Sequence, residues 1–295
     1  MTLAVPPPQV RRVAYLGTPE IAVPPLVALH EAGFEIALVI TGADKRRGRG
    51  GQATPTPVKQ AALERGLPVS HDLDQLLDVE VDLGVVVAYG RIIPRSVLEQ
   101  VPLVNIHFSL LPRWRGAAPV ERALLAGDTE TGVCLMVVDE ELDTGGVYGR
   151  AVTPITGDDT LATLRERLVD QGSQLLVSAL STGLGPPIPQ EGDPSYAHKI
   201  DPTELEIDWS DTTAAIHRLV RLGGAWTTFR SKRLKIWAAR GADSGPPPGV
   251  IDGLTVGTGT GGLVLEVVQP EGKPRMAAAD WRNGAQPGPD ESFVP

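Results

Sequence analysis

Residues 82–90, DLGVVVAYG, form an almost continuous apolar run that ends in a Tyr-Gly pair. Such a run is typical of a parallel strand that is buried on both faces of its sheet. Around it, short apolar strands alternate with helices, beginning with the strand RRVAYLG at residues 11–17. This alternation indicates strand–helix–strand crossover units. We therefore predict an α/β fold, with a Rossmann-like parallel sheet in the N-terminal part of the chain.

The pattern changes after residue 185. Residues 186–204, PPIPQEGDPSYAHKIDPTE, are rich in Pro and polar residues and have no apolar period, which predicts a linker. Beyond them, one helix is followed by short strands broken by turns, which predicts a smaller all-β domain, a barrel. We thus expect one domain over residues 1–185, a linker over 186–204 and a second domain over 205–295.

Polar side chains mark the strand that follows the apolar run. In VNIHFSLLPRWRG, residues 104–116, alternate residues point to opposite faces of a strand, so Asn105, His107 and Ser109 share one face. Ligands of parallel sheets bind beyond the carboxyl ends of the strands, where this segment lies. The pattern therefore indicates either a site at this edge or the solvated face of an antiparallel strand.

Two of these side chains have chemistry suited to catalysis. A His titrates near neutral pH and can move a proton, and an Asn amide can donate a hydrogen bond to a developing oxyanion. A carboxylate is the natural third partner, because it can orient the imidazole. The later stretch DEELDTGG, residues 139–146, offers several, and Asp143 lies in its turn. The alternative for Asp143 is a turn residue that bonds its own backbone.

The net charge and the local distribution of charge give opposite indications of nucleic-acid binding. The net charge of −9 argues against the basic footprint that is usual in nucleic-acid binders. Two local zones are basic, KRRGR at residues 45–49 and the region from 211 to 240. The bases of the second zone are Arg218, Arg221, Arg230, Lys232, Arg233, Lys235 and Arg240. Each zone is either part of a binding surface or an ordinary solvated face.

Composition bounds the class of protein. The hydrophobic fraction of 42% is ample for a packed core. No apolar run approaches the roughly 20 residues of a membrane helix, and the N-terminal residues do not resemble a secretory signal. Cys134 is the single cysteine and lies in an apolar run, so we expect it to be buried and inert. We expect no membrane contact, no metal site and a cytoplasmic location.

Several segments together resemble the folate-dependent formyltransferases, and among them those that act on methionyl-tRNA. Asn-x-His combined with Asp-Thr-Gly is similar to the wider superfamily, whereas SLLPRWRGAAP, residues 109–119, is more specific to the tRNA enzymes. Further matching segments follow in order: YLGTPEIAVPPL, VVVAYGRIIP, IDWS and VVQPEGKPRMAAADWRNG. The likeness therefore spans nearly the whole chain.

The resemblance implies a reaction and roles for three residues. The formyl group of 10-formyltetrahydrofolate would pass to the α-amine of methionine that is charged on initiator tRNA. Asn105 and protonated His107 would stabilise the tetrahedral oxyanion. Asp143 would orient His107 and help to move a proton, so that these three residues form the catalytic trio.

The resemblance also implies binding residues and partners. The folate pocket would be lined, largely through backbone groups, by Tyr89, Gly90, Ser109, Leu110, Leu111 and Pro112. The acceptor end of the tRNA would be contacted by an inserted basic loop with Lys45, Arg46, Arg47 and Arg49. The second domain would be a barrel of the oligonucleotide-binding (OB) type that meets the tRNA backbone. The partners would thus be charged initiator tRNA and the folate co-substrate, bound by a monomer without a metal.

Three other functions are compatible with parts of the sequence. A formyltransferase of UDP-amino sugars would share Asn105, His107 and Asp143, but would typically have Lys-Tyr-Arg-Gly at residues 113–116 and would not need the basic loop. A glycinamide-ribonucleotide formyltransferase would usually end near residue 200. A nucleotide- or RNA-binding protein without catalytic activity would need neither the Asn-x-His pair nor its carboxylate partner.

Overall fold

The computed structural model describes residues 3–46, 53–288 and 291–293. Its strands, in chain order, are β1 (Arg12–Gly17), β2 (Glu35–Ile40), β3 (Lys45–Arg46), β4 (Ala53–Thr54), β5 (Val69–Ser70), β6 (Leu83–Val87), β7 (Leu103–His107), β8 (Arg115–Gly116), β9 (Glu130–Val137), β10 (Val147–Pro154), β11 (Tyr196–Ala197), β12 (Trp226–Phe229), β13 (Lys232–Ala242), β14 (Ile251–Asp252), β15 (Thr255–Thr258), β16 (Gly261–Pro270) and β17 (Met276–Ala277). Its α-helices are α1 (Val23–Glu31), α2 (Pro57–Glu64), α3 (Arg95–Leu98), α4 (Pro119–Ala126), α5 (Leu161–Thr182), α6 (Thr213–Leu222) and α7 (Ala278–Ala285).

The chain divides into two compact units. The first unit comprises Met1–Pro119, Glu130–Pro154 and Arg165–Ala197. The second unit comprises Val120–Thr129, Ile155–Leu164 and His198–Pro295. The described part of the chain has no helix that is long and apolar enough to cross a membrane. It also has no group of three or more His, Cys, Asp or Glu side chains placed to hold a metal ion.

The first unit is built on a seven-stranded sheet in the order β10-β9-β7-β6-β1-β2-β5. The five strands from β7 to β5 in this order are parallel. The strands β9 and β10 extend the sheet beyond β7 in antiparallel pairing. The predicted α/β fold is therefore confirmed, and β7 has a parallel neighbour on one side and an antiparallel one on the other.

The apolar run at residues 82–90 becomes the strand β6 near the middle of this sheet. All five residues of β6 are buried, because β1 and β7 flank it and its side chains pack on both faces. Leu103 of β7 lies so close to Gly84 that a Cβ at position 84 would be 2.2 Å from its Cδ2 atom. A side chain at Gly84 would therefore force the buried side chain of Leu103 to move.

The carboxyl edge of the sheet is held together by polar contacts between loops. The Thr18 hydroxyl, just after β1, donates to the carbonyl of Tyr89, which follows β6, at 3.3 Å. The same hydroxyl accepts a hydrogen bond from the backbone of Gly42, which follows β2, also at 3.3 Å. These contacts fix the relative positions of the loops from which a site at this edge is built.

Part of the Pro-rich segment that was predicted as a linker is bonded into the first unit. Ile188 and Val147 exchange two backbone hydrogen bonds of 2.8 and 2.9 Å. Farther along, β11 pairs in parallel with β8. Contacts of two residues at a time leave no periodic signal in a sequence, so the pattern could not reveal them. The division at residues 185 and 205 stays a prediction.

The second unit contains an antiparallel sheet in the order β12-β13-β16-β15-β14, with β17 paired to β16. Its core includes an aromatic cluster of Trp209, Phe229, Trp281 and Phe293, whose ring centroids lie 5.3 to 5.9 Å apart. The predicted smaller β domain is confirmed, and an OB-like description suits its sheet. The helix α7 was not predicted, because its eight residues include Gly284 and have no clear apolar period.

Candidate active site

The strand β7 carries two polar side chains to its carboxyl end. Asn105 lies opposite Val86 of β6, and His107 lies opposite Cys134 of β9. Because side chains alternate along a strand, Asn105 and His107 share a face of the sheet. His107 is only 5% exposed, whereas Asn105 is partly buried. Among the described residues, the Asn105 side chain has no hydrogen-bond partner, which leaves its amide for a ligand.

The imidazole of His107 is fixed between two groups. Its Nε2 atom lies 2.9 Å from the carbonyl oxygen of Trp114. A carbonyl oxygen can only accept, so Nε2 carries a proton and the neutral ring has its lone pair on Nδ1. Nδ1 lies 3.6 Å from Oδ2 of Asp143, which is the range of an ion pair when the ring is doubly protonated. The structure therefore brings the predicted His107 and Asp143 together at the carboxyl end of β7.

Residues 139–146, which we call the Asp143 turn, hold the carboxylate in place. Oδ2 of Asp143 accepts a hydrogen bond of 2.7 Å from the backbone of Gly116. The alternative of a side chain that bonds its own turn does not fit this geometry. Gly145 has no room for a side chain, because a Cβ there would lie 2.1 Å from the carbonyl oxygen of Val137. Close backbone approach thus explains why Gly follows the Asp-Thr pair.

Left-handed backbone conformations are concentrated around this site. Ala88 follows β6 with φ of 46°, Trp114 follows β7 with φ of 63°, and Asp143 has φ of 55°. They are three of the six non-glycine residues with positive φ in the described ranges. Such conformations cost about 1–3 kcal/mol each and persist where the surrounding structure enforces them, often at functional sites. The chain therefore tolerates strain at Asp143 itself, at Trp114, whose carbonyl binds His107, and at Ala88 in the loop after the neighbouring strand β6.

The loop after β6 contains two of the residues predicted to line a folate pocket. Tyr89 is buried, and burial raises the pKa of its phenol. Its hydroxyl oxygen accepts a hydrogen bond of 3.4 Å from Arg91. Gly90 is exposed with φ of 76°, and a Cβ at this position would meet no atom within 4 Å. The backbone at Gly90 therefore borders open space, whereas the Tyr89 ring belongs to the core.

The loop after β7 contains the other four predicted folate residues. Ser109 is fully buried, and its hydroxyl donates to the carbonyl of Arg113 at 2.6 Å. Leu111 is buried in a small cluster with Cys134, and the Leu111–Pro112 peptide bond is cis. Leu110 and Pro112 are only partly buried. Of these four residues, Leu110 and Pro112 are the ones that still have accessible surface for a ligand.

Two residues near the site were missed by the sequence analysis, and both lie in the Pro-rich segment. The Gln190 amide nitrogen donates to the carbonyls of Asp143 and Gly145, each at 2.8 Å. The Ser195 hydroxyl accepts a hydrogen bond of 2.9 Å from the backbone of Trp114. In a segment without apolar periodicity, the sequence does not show whether a polar side chain makes a structural contact or is solvated.

The basic loop can be described only in part. Lys45 and Arg46 form β3, which pairs with β4 in a hairpin, so the predicted loop contains a short ladder. Arg47 and Arg49 lie outside the described residues. Asp44, just before β3, accepts hydrogen bonds of 2.8 and 2.7 Å from the ammonium of Lys59 in α2. This partly buried ion pair anchors the chain where the basic loop begins.

The second basic zone is divided by the structure. Arg218 and Arg221 donate to backbone carbonyls of their own unit, and Arg230 pairs with Glu291. On β12 and β13, by contrast, Arg233 lies over the Trp226 ring, with 3.9 Å from Cζ to the ring centroid. These two residues line a groove of about 530 Å³. Its other lining residues are Thr228, Ser231, Lys235, Gln269, Pro270, Glu271 and Gly272.

Comparisons with known proteins agree with this architecture. Residues 11–180 match the formyl transferase family, and residues 199–286 match the formyl transferase C-terminal domain. A methionyl-tRNA formyltransferase of Symbiobacterium thermophilum is 42% identical over an alignment of 300 positions that covers 92% of each chain. One from Methylococcus capsulatus is 43% identical over 297 residues, covering 92% of this chain and 96% of that protein. The chain belongs to the methionyl-tRNA formyltransferase family.

Solved structures share the fold of this family at lower identity. HypX from Aquifex aeolicus, in complex with tetrahydrofolic acid, is 18% identical with a TM-score of 0.66, and the match covers 95% of this chain and 48% of HypX. An N-formyltransferase from Helicobacter canadensis, in complex with folinic acid and dTDP-3-aminofucose, is 18% identical with a TM-score of 0.67. That match covers 88% of this chain and 99% of the Helicobacter protein. At these identities the likeness concerns the fold alone.

Proposed function

We propose that this protein transfers the formyl group of 10-formyltetrahydrofolate to the α-amine of methionine on initiator tRNA. The observation that supports this best is the arrangement of Asn105, His107 and Asp143 at the carboxyl end of β7, in a member of the methionyl-tRNA formyltransferase family. The N-formylmethionyl-tRNA formed in this way would serve translation initiation.

The His107–Asp143 pair is suited to hold and move a proton. Nε2–H of His107 is committed to the Trp114 carbonyl, so a second proton on the ring would sit on Nδ1, facing Asp143. Oδ2 of Asp143 is bound by Gly116, whereas Oδ1 has no hydrogen bond within the described residues. We therefore assign the removal of the proton from the attacking amine to Oδ1 of Asp143. The same carboxyl group returns this proton to the folate nitrogen as its bond to the formyl carbon breaks. When His107 is doubly protonated, its Nδ1–H faces Oδ2 and stabilises the negative charge of the carboxylate.

Asn105 is the group best suited to stabilise negative charge on the formyl oxygen. Its amide is partly buried and is not used by the described part of the protein, so it is available to donate to an oxyanion. The resemblance to the family assigns this role jointly to protonated His107. In the described conformation, Nε2–H of His107 is directed at Trp114, and so we assign the oxyanion mainly to Asn105.

The loops after β6 and β7 fit a folate co-substrate, which supplies the formyl group when it is bound. The exposed backbone at Gly90 borders open space, and Leu110 and Pro112 offer partly buried apolar surface. Tyr89, Ser109 and Leu111 are turned into the protein, so their contribution is through the backbone and through the shape of the loops. This supports the predicted pocket of backbone groups around an apolar ring system.

The tRNA substrate has two candidate contact surfaces. The first is the basic loop with Lys45, Arg46, Arg47 and Arg49. The second lies on the second unit, where Arg233 stacks on Trp226 in the groove. Outside the residues that line the groove, Arg275 stacks on Trp237 of β13, with 3.4 Å from Cζ to the ring centroid. Aromatic rings combined with arginines suit RNA, since they offer stacking surfaces as well as charge for phosphates.

We propose that residues 1–185 act on the formyl donor and residues 205–295 bind tRNA. A monomeric state and a cytoplasmic location are further parts of the proposal.

The direct test is a formylation assay with purified protein and two acceptors. With 10-formyltetrahydrofolate, we expect multiple turnovers of formyl transfer to methionyl-initiator tRNA, and no transfer to a UDP- or dTDP-amino sugar. The formyl group of the donor is isotopically labelled, and the ester that joins methionine to the tRNA is hydrolysed after the reaction. The product is then measured as the amount of label bound to the released methionine. Transfer to the amino sugar alone would contradict the proposal and favour the sugar-modifying alternative.

Neutralising the basic loop should weaken tRNA binding specifically. We expect the replacement of Lys45, Arg46, Arg47 and Arg49 by Ser to raise KM for methionyl-tRNA and to leave folate affinity unchanged. Each lost phosphate contact should flatten the plot of log K against log salt by about 0.7 to 0.9. The measurement is tRNA binding between 50 and 200 mM salt (about the range in which such contacts weaken). An unchanged slope in this variant would exclude the loop from tRNA binding.

A matched control for the loop is Arg11→Ser. Arg11 is exposed and precedes β1, so it lies at the amino edge of the sheet, opposite the proposed site. Its loss removes one positive charge without changing the carboxyl edge. The salt dependence and KM for tRNA should both stay at their wild-type values in this control.

A further inference from the structure

We infer that residues 188–197, here called the tether, position the His107–Asp143 pair, and that Gln190 and Ser195 are its two positioning residues. The inference rests on the proposed function. The tether lies in the first unit, and its backbone is bonded to β10 through Ile188 and to β8 through β11. It therefore borders both the Asp143 turn and the loop that contains Trp114.

Gln190 holds the Asp143 turn through two of its backbone carbonyls. Its Nε2 donates to the carbonyls of Asp143 and Gly145, and its Oε1 accepts from Nε and Nη2 of Arg115 at 3.1 and 2.7 Å. This orientation of the amide is unambiguous, because carbonyls only accept and a guanidinium only donates. One side chain thus joins the turn that carries Asp143 to β8, which contains Gly116, the donor to the Asp143 carboxylate.

Ser195 acts on the other partner of the pair. Its hydroxyl accepts from the backbone of Trp114 at 2.9 Å, and its carbonyl accepts from the backbone of Arg115 at 2.8 Å. The carbonyl of Trp114 in turn fixes the protonated Nε2 of His107. Ser195 therefore holds the residue that determines which ring nitrogen of His107 faces Asp143.

The backbone of this site needs such support. Trp114 and Asp143 both have left-handed conformations, which persist only where neighbouring contacts enforce them. The Nδ1 to Oδ2 distance of 3.6 Å leaves little margin, and a displacement of about 1 Å can cost on the order of 10²-fold in rate. A tether that loses its contacts should therefore impair catalysis more than substrate binding.

The first test compares the exchange of an amide for a carboxylate at position 190 with the reverse exchange at position 191. Gln190→Glu keeps the size of the side chain and its contact with Arg115, but cannot donate to the two turn carbonyls. We expect kcat for formylation to fall about 10- to 100-fold, with KM for folate and tRNA within a few-fold of wild type. Glu191→Gln changes an exposed neighbour and should leave both constants unchanged. A Gln190→Glu enzyme with wild-type kcat would overturn the inference while leaving the proposed function intact.

The second test does not depend on activity. In protein labelled with 15N-histidine, we expect the Nε2-bound proton of His107 to exchange slowly in wild type and faster in Ser195→Ala. We also expect Ser195→Ala to lower kcat. Ser195→Thr, which keeps a hydroxyl, should exchange as slowly as wild type and have its kcat. Unchanged exchange in Ser195→Ala would overturn the assignment of Ser195. If wild type failed to formylate tRNA but the exchange responded as expected, the proposed function alone would be wrong.

Discussion

Replacing His107 by Ala is expected to lower kcat for formyl transfer about 10²–10⁴-fold, because Asp143 then loses the partner with which it forms the positioned proton-transfer pair. The imidazole is buried between the Trp114 carbonyl and the Asp143 carboxylate, and it has no other hydrogen-bond partner in the described residues. Without it, the Trp114 carbonyl loses its donor and the Asp143 carboxylate loses its only ion-pair partner in the described residues. Single-turnover formylation with saturating tRNA and folate measures the chemical step directly.

A second substitution separates catalysis from packing at this position. His107→Gln fills most of the space and can still donate to the Trp114 carbonyl, but it cannot take up a second proton. We expect its rate to stay low although its thermal unfolding resembles that of wild type. His30→Gln, on an exposed position of α1, is the control and should have no effect. A fully active His107→Gln enzyme would reduce His107 to a structural role.

The strands that build this site are largely predictable from the sequence, because their signals are local. The apolar run of β6 and the alternation in β7 depend on neighbouring residues, and both strands were found where the pattern predicted them. The direction of β9 has no such local signal. An apolar run such as TGVCLMVV is compatible with either direction, and the helix α4 between β7 and β9 would by itself favour parallel pairing. The antiparallel pairing of β9 with β7 is therefore seen only in the structure.

The partnership of His107 with Asp143 shows where local reasoning ends. The stretch DEELDTGG offers several carboxylates; its place in the turn pointed to Asp143, and the resemblance to the formyltransferases assigned the catalytic role to it. In the fold, two glycines fix Asp143 as the partner of His107. The backbone of Gly116 donates to its carboxylate, and Gly145 allows the turn to approach Val137 closely. Both contacts join residues that are distant in sequence.

The tether was predicted as a linker for a similar reason. Gln190 and Ser195 act through single hydrogen bonds to backbone groups of other loops. Such contacts depend on where those loops lie after folding, and they need neither an apolar period nor a particular neighbour in sequence. Composition therefore describes the segment as Pro-rich and polar, and only the structure reveals that it borders the candidate site.

The last expectation concerns Asn105, whose substitution by Ala should lower kcat about 10²–10³-fold, as is typical when one oxyanion donor is removed. The effect should fall on kcat because negative charge on the formyl oxygen develops in the transition state and is small in the bound substrate. KM for folate and tRNA should change little. Single-turnover rates and KM for both substrates, measured on the same preparation, test this division.

An isosteric change makes the argument about Asn105 sharper. Asn105→Asp preserves the shape of the side chain, but it replaces the donor by a carboxylate that repels an oxyanion, so it should be at least as slow as Asn105→Ala. Asn283→Ala, on an exposed position of α7, serves as the control and should behave as wild type. If both Asn105 variants kept wild-type kcat and raised only KM for folate, Asn105 would bind the ground state. The oxyanion would then have to be stabilised by His107, which would require its Nε2–H to leave the Trp114 carbonyl.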